Sequence, residues 1–278
     1  MSESSGAGER IAKAMARVGL CSRRVAETWI EAGRVTLNGA KVTTPATFVT
    51  ESDIIAVDGK PIARQSETRL WRYHKPSGRM VTERDPEGRP TIYEHFEAAG
   101  LPRVLTVGRL DFTTEGLLLL TNDGGLKRVL ELPATGWVRR YRVRAFGRVT
   151  QAQLDELKHG ITIDKVHYGS IEATIEREKG DNVWLVVTLR EGKNREIKKV
   201  LAALGLTVNR LIRLSYGPFQ LGDLPPGAVE VVRRKVLRDQ LGERLAQEAG
   251  VTFDSTPEQV APVRPKPAPP PRARRRPR

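Results

Sequence analysis

Residues Val107 to Gly124 read VGRLDFTTEGLLLLTNDG. A strand ending near Val107 delivers Arg109 and Asp111 into a polar turn, after which Leu117 to Leu120 returns the chain to the interior as an aliphatic run. Such a segment would hold a carboxylate at the rim of a sheet, on a loop fixed by buried structure at both ends. The pattern also admits a plainer reading, in which Asp111 caps the short turn Phe112 to Glu115 and pairs with Arg109. Pattern alone leaves both open.

Outward from this stretch, short strands and helices follow in mixed order. Strands are expected at Leu70 to His74, Val104 to Val107, Val138 to Ala145, Ile171 to Ile175 and Val183 to Leu189. Helices are expected near Ile92 to Ala98, Leu126 to Leu132, Gln151 to His159 and Arg195 to Leu204. The fold class is therefore α+β, built on a large mixed, mainly antiparallel sheet. The tetrapeptide GRVT occurs at Gly33 and again at Gly147, but its surroundings differ and the chain has no internal repeat.

The first 66 residues form a separate unit. Ile11, Met15 and Val18 recur at helical spacing, and Ser22 can cap a second helix, Arg23 to Ala32, that Gly33 ends. Val35 and Leu37 run into Asn38-Gly39, and Ile54 to Val57 runs into Asp58-Gly59, both strong hairpin turns. The domain layout is a loose leader at 1–8, a helix-helix-hairpin module at 9–66 that closes on a polar linker from Arg64, a large domain at 67–253, and a tail at 254–278. Eight prolines and seven basic residues in that tail predict an extended basic segment without a core.

The 278 residues carry 47 Lys plus Arg against 33 Asp plus Glu, a formal charge of +14, and the pI is near 10.2. Such a surface attracts polyanions, nucleic acid first among them. No apolar run approaches the roughly 20 residues of a membrane span, and the small, polar, acidic start lacks a secretion-signal pattern. A cytoplasmic protein is the expectation, consistent with a single cysteine, Cys21. His74, His95, His159 and His167 are scattered without zinc-ligand spacing. The chain has no GxxxxGK[ST] loop, no GxGxxG after a strand and no GxSxG elbow. Its chemistry must come from carboxylates, bases and phenols.

The motif at Gly108 to Gly124 resembles the catalytic signature of the RsuA/RluA-type pseudouridine synthases. Other blocks agree in order: YHKPSG at Tyr73, RDPEGRPT at Arg84, RRYRVRAFG at Arg139, REGKNREIKKVLAALG at Arg190 and RLIRLSYGPFQLGDLPPG at Arg210. The N-terminal module is similar to an S4 RNA-binding domain through GLCSRR at Gly19 and GRVTLNG at Gly33. Within the family the chain looks most like the large-subunit rRNA synthase B branch, with the small-subunit RsuA branch as the alternative.

The resemblance implies isomerisation of a uridine in ribosomal RNA, without cofactor, with Asp111 as the essential carboxylate, held ionised in a largely dry pocket. It implies Lys198 as the basic residue pairing with Asp111, Tyr141 as the ring stacked on the target uracil, and Arg109 as the group filling the gap left by an extruded base. Independently of the family, Arg195, Lys198 and Lys199 crowd a helix start, where cations oppose the dipole and call for an anion. Lys193 and Asn194 adjoin them. Arg10, Lys13, Arg17, Arg23 and Arg24 lie on neighbouring helices of the S4-like module as further RNA contacts. The partner expected is ribosomal RNA or a pre-ribosomal particle, met by a monomer. A non-catalytic RNA-binding or ribosome-assembly protein would also explain the module and the charge. A methyltransferase would need a glycine-rich cofactor loop that the chain lacks.

Overall fold

The computed structural model describes residues 8–50, 52–62 and 67–251. The leader expected at 1–8, apart from Gly8, lies outside them, as do 63–66 in the linker and the basic tail at 254–278. The N-terminal unit runs β1 (Glu9–Arg10), α1 (Ile11–Arg17), α2 (Arg23–Glu31), β2 (Val35–Leu37), β3 (Ala40–Lys41), β4 (Phe48–Val49), β5 (Ile55–Val57) and β6 (Lys60–Pro61). The first helix starts at Ile11, the first residue of the apolar periodicity, because Glu9 and Arg10 pair with Val49 and Phe48. Ser22 caps α2 by accepting a hydrogen bond from the Val25 amide at 3.2 Å. Both hairpin turns form as read. Asn38 and Gly39 take φ of 51° and 85°, and Asp58 and Gly59 take 49° and 75°, left-handed at both central positions. Ile11, Met15, Ala26, Ile30 and Val35 make the core of this unit.

The second unit runs β7 (Leu70–Lys75), α3 (Ile92–Ala98), β8 (Leu105–Val107), β9 (Thr114–Thr121), α4 (Gly124–Glu131), β10 (Arg139–Phe146), α5 (Gln151–Asp155), β11 (Ile161–Ile163), β12 (Val166–Tyr168), β13 (Ile171–Lys179), β14 (Asn182–Leu189), α6 (Glu196–Ala203), β15 (Thr207–Tyr216), β16 (Phe219–Gln220), β17 (Val229–Val231) and α7 (Arg234–Ala249). Its main sheet has the order β13-β14-β10-β15-β9-β7-β17, with β16 added to β15 and β8 to β9. The β9–β15 pair is parallel and the other pairs of this sheet are antiparallel. The α+β class and the mixed, mainly antiparallel sheet are as read from the sequence.

β9 is the strand around which the rest is arranged. One edge pairs with β7 along its length, and the other is divided between β15 near its start and β8 near its end. Leu117 to Leu120 are each 0% exposed, and burial of both faces explains why the run is continuous instead of alternating. Leu118 and Leu120 join the core cluster containing Tyr141, Val143, Ile197 and Val200. Leu117 and Leu119 join the cluster formed with α4 and α7. Each buried leucine contributes roughly 1.5–3 kcal/mol, so the loop before β9 is anchored by one of the tightest parts of the molecule.

Several elements exceed the sequence reading, among them the short strands β11, β12, β16 and β17. β15 is a ten-residue strand where the sequence offered only a motif. α7 was not read at all, although Leu237, Leu241, Leu245 and Ala249 bury themselves at helical spacing; Gly242, with φ 66°, interrupts it. The helix expected over Gln151 to His159 is α-helical only to Asp155 and continues as a 3-10 turn to His159.

Candidate active site

Asp111 sits on the loop between β8 and β9, as the sequence placed it. The loop is pinned from several sides. Leu110 is buried in the core, the Thr114 amide donates to the Asp111 carbonyl at 3.0 Å, and the Gly78 amide donates to the Phe112 carbonyl at 2.8 Å. Gly108 turns the chain into the loop with φ 68°, while its amide donates to the Glu131 carboxylate at 2.6 Å. Where the loop enters β9, Gly116 has φ 103°, and a β-carbon there would lie 2.3 Å from the Arg213 carbonyl oxygen. Only glycine permits that approach of two backbones.

The anchor beneath the loop is Lys75, the last residue of β7 and 0% exposed. Its ammonium donates to the carbonyls of Pro76, Phe112 and Thr114 at 3.0, 3.2 and 2.9 Å. A buried cation of this kind ties the two ends of the Asp111 segment to β7. Burial pulls its pKa from 10.5 down to about 8, against the opposing pull of Asp111 and Glu115.

Lys198, on α6, is the cation nearest to Asp111. Its Nζ lies 4.0 Å from Asp111 Oδ2 and donates to Thr113 Oγ1 at 2.8 Å. The lysine is 18% exposed and the aspartate 40% exposed, so the carboxylate is more open than the largely dry pocket the family resemblance implies. Desolvation lowers the Lys198 pKa, Asp111 raises it, and Arg195 lowers it further. The plainer sequence reading, an Asp111–Arg109 pair, is not formed: among the described residues Arg109 has no ion pair and is exposed.

The helix start carrying Lys198 is itself constrained. Arg195 is its N-cap residue in a left-handed conformation, φ 52°, and the Arg195 and Lys199 side chains are exposed. Glu196 turns inward, 4% exposed, and its carboxylate accepts the Lys193 amide at 2.9 Å. Burial raises its pKa. Lys193 pairs with Glu191 and donates to the His167 carbonyl, while Asn194 is exposed. An acidic residue thus does occupy the crowded helix start.

Tyr141 is 9% exposed on the inner side of β10 with Val143 and Ala145. Pairing aligns Gly116, Arg213 and Tyr141 on neighbouring strands, which places Tyr141 two strand spacings, about 10 Å, from the entry to β9. On the S4-like unit, Arg10, Arg23 and Arg24 are exposed, while Lys13 and Arg17 share Glu9 at 3.3 and 3.2 Å. The structure therefore gathers Asp111 and Lys198, sets Tyr141 at the same end of the sheet, and leaves the α1–α2 cations apart from them.

Residues 9–55 match the S4 domain family, and residues 69–203 match the RNA pseudouridylate synthase family. An uncharacterized RNA pseudouridine synthase of Rickettsia prowazekii (strain Madrid E) is 42% identical over 232 residues, covering 84% of this chain and 97% of its own. The chain belongs to the RNA pseudouridine synthase family. The ribosomal large subunit pseudouridine synthase B of Pasteurella multocida (strain Pm70) is 38% identical over 258 residues, 90% of this chain and 74% of that protein. A solved pseudouridylate synthase superposes with a TM-score of 0.59 at 26% identity, over 84% of this chain and 99% of that one.

A pseudouridine synthase isomerises uridine within RNA: the glycosidic C–N bond breaks, the uracil turns, and C5 rejoins C1′. For this synthase the sequence reading missed two supports, Lys75 and Gly116. The YHKPSG motif contained Lys75, but nothing in that string marks the lysine as buried. Among the described residues no cluster of His, Cys, Asp or Glu could hold a metal, and no helix is long and apolar enough to cross a membrane.

Proposed function

We propose that this chain isomerises a uridine of large-subunit ribosomal RNA, with Asp111 as the essential carboxylate. The observation that carries the assignment of Asp111 is its placement 4.0 Å from Lys198 on a loop locked from beneath by the Lys75 ammonium. Attack on C1′, addition to the base and removal of a sugar proton all need an ionised carboxylate. Lys198 sets a cation 4.0 Å from that carboxylate, and the Thr113 hydroxyl it bonds keeps the amine directed at the loop. A uridine bound over the 40% exposed carboxylate would exclude water and strengthen the pairing.

Tyr141, buried at the same sheet end, is assigned to stack on the uracil and assist proton removal from C5. Arg109, exposed and without an ion pair among the described residues, is assigned to the space vacated by the flipped nucleotide. Lys193, Asn194, Arg195 and Lys199, beside the α6 start, and Arg10, Lys13, Arg17, Arg23 and Arg24, on the S4 domain, contact the RNA backbone. The enzyme acts in the cytoplasm as a monomer.

The large-subunit assignment is supported by the names of relatives that match most of the chain. Mapping pseudouridines in ribosomal RNA from cells with and without this gene tests it. Loss of one large-subunit site is expected; loss of a small-subunit site instead would move the assignment to the RsuA branch, and an unchanged map would reject it.

A further inference from the structure

Between α1 and α2 on one side and α4 on the other lies a cavity of about 470 Å³. Its cations are Lys13, Arg17 and Arg23 from the S4 domain and Arg103, Lys127 and Arg128 from the catalytic domain; Glu131 is the one acid lining it. Three carboxylates are spread over most of this charge. Glu9 serves Lys13 and Arg17, Glu83 lies 3.6 Å from Arg103, and Glu131 pairs with Lys127. Arg23 and Arg128 have no ion pair among the described residues. The Arg23 guanidinium reaches across to the start of α4, 3.9 Å from where a β-carbon of Gly124 would stand.

Gathering these cations is unfavourable until an anion joins them. The backbone amides at the start of α4 do not supply the binding, since Asp123 already accepts from Gly125 and Leu126 at 2.7 and 3.1 Å. The anion must be met by the side chains. No aromatic ring lines the groove, whereas sites for single strands depend on rings that stack bases. Recognition through phosphates is the mode suited to double-helical RNA. The groove also lies away from the chemistry: Asp111 precedes β9, α4 follows it, and the eight residues of β9 span about 25 Å.

We propose that this groove between the two domains holds the phosphate backbone of a double-helical segment of the substrate RNA, well away from the target uridine. The inference rests on the reading of the Asp111 loop as the site of isomerisation and of the S4 cations as RNA contacts; it adds Arg103, Lys127 and Arg128 of the catalytic domain and names double-helical RNA as what both domains hold. Cations of both domains then grip one RNA helix, so that binding sets the S4 domain against the catalytic domain while the uridine is presented elsewhere.

The test compares the full-length enzyme with the Arg23→Ser, Arg128→Ser double variant on a 20-base-pair RNA duplex lacking unpaired uridine. Neither side chain supports the fold through an ion pair, and an unchanged melting temperature confirms that the variant is folded. Loss of two phosphate contacts should weaken binding and reduce the slope of log affinity against log salt by about 1.8, at 0.9 per contact. With a ribosomal RNA transcript labelled at uridine C5, the variant should raise KM more than it lowers kcat. Asp111→Asn should bind the duplex like wild type, which separates this inference from the assignment of the catalytic residue. An unchanged duplex affinity and salt slope would overturn the proposal. So would an equal loss on single-stranded RNA, displacement of the duplex by inorganic phosphate at matching concentration, or a fall in kcat with KM unaltered.

Discussion

Replacing Lys75 by methionine isolates the energetic role of the cation beneath the Asp111 loop. The ammonium is 0% exposed, and burial sets its pKa at about 8 in the folded chain against 10.5 for a free lysine. Below pH 8 the lysine is protonated in both folded and unfolded chains, and the full cost of burying the charge is present. Between about 8 and 10.5 the unfolded chain retains the proton and the folded chain does not, so stability rises with pH across this window. The gap corresponds to about 3 kcal/mol at 1.36 kcal/mol per pH unit. Denaturant unfolding of wild type and Lys75→Met from pH 7 to 10.5 should therefore show wild type gaining about 3 kcal/mol relative to the variant. A difference that stays flat with pH would refute the reasoning. Should the variant fail to fold, NMR titration of wild type with lysine labelled at the ε position gives the same answer: one lysine should titrate near 8, and none below 10 would refute it. Activity should move the opposite way. A neutral amine offers two donors to three carbonyls, so the Asp111 loop loosens and kcat falls as pH rises through about 8.

Lys198→Met should lower kcat by about two to three orders of magnitude, the scale of removing one positioned electrostatic group, with Lys198→Arg retaining part of the activity; single-turnover rates check both. Tyr141→Phe should slow product formation more than RNA binding, measured by comparing single-turnover rate with affinity. Gly116→Ala should cost about 4 kcal/mol or more in denaturant unfolding, because the added carbon meets the Arg213 backbone in a left-handed position.

The features legible in the sequence were those set locally. Asn38-Gly39 and Asp58-Gly59 need only their own left-handed backbone, and both turns form. The apolar run at Leu117 marked a buried strand because no other placement of four leucines is favourable, and the polar residues before it marked the loop that bears Asp111. Contacts between distant segments were not legible from pattern. Lys75 is buried because β7 pairs with β9 and sets Lys75 opposite Gly116, which no property of YHKPSG dictates. Asp111 and Lys198 meet only after α6 docks, and their pairing was reached through the family resemblance. Arg213 is 2% exposed, donating to the Leu117 carbonyl; an arginine in an alternating strand is ordinarily read as facing water. α7 was missed although Leu237, Leu241 and Leu245 stand at helical spacing, and Gly242 breaks the helix between them.

The central claim is that the Asp111 carboxylate carries out the isomerisation. Its most direct measurement is single-turnover release of label from uridine C5 of a large-subunit ribosomal RNA transcript, by wild type and by Asp111→Asn, alongside RNA affinity. The account predicts release by wild type, none above background by the variant, and retained affinity in the variant, because the substitution removes charge and preserves shape. Label release by the asparagine variant at a rate near wild type would contradict it.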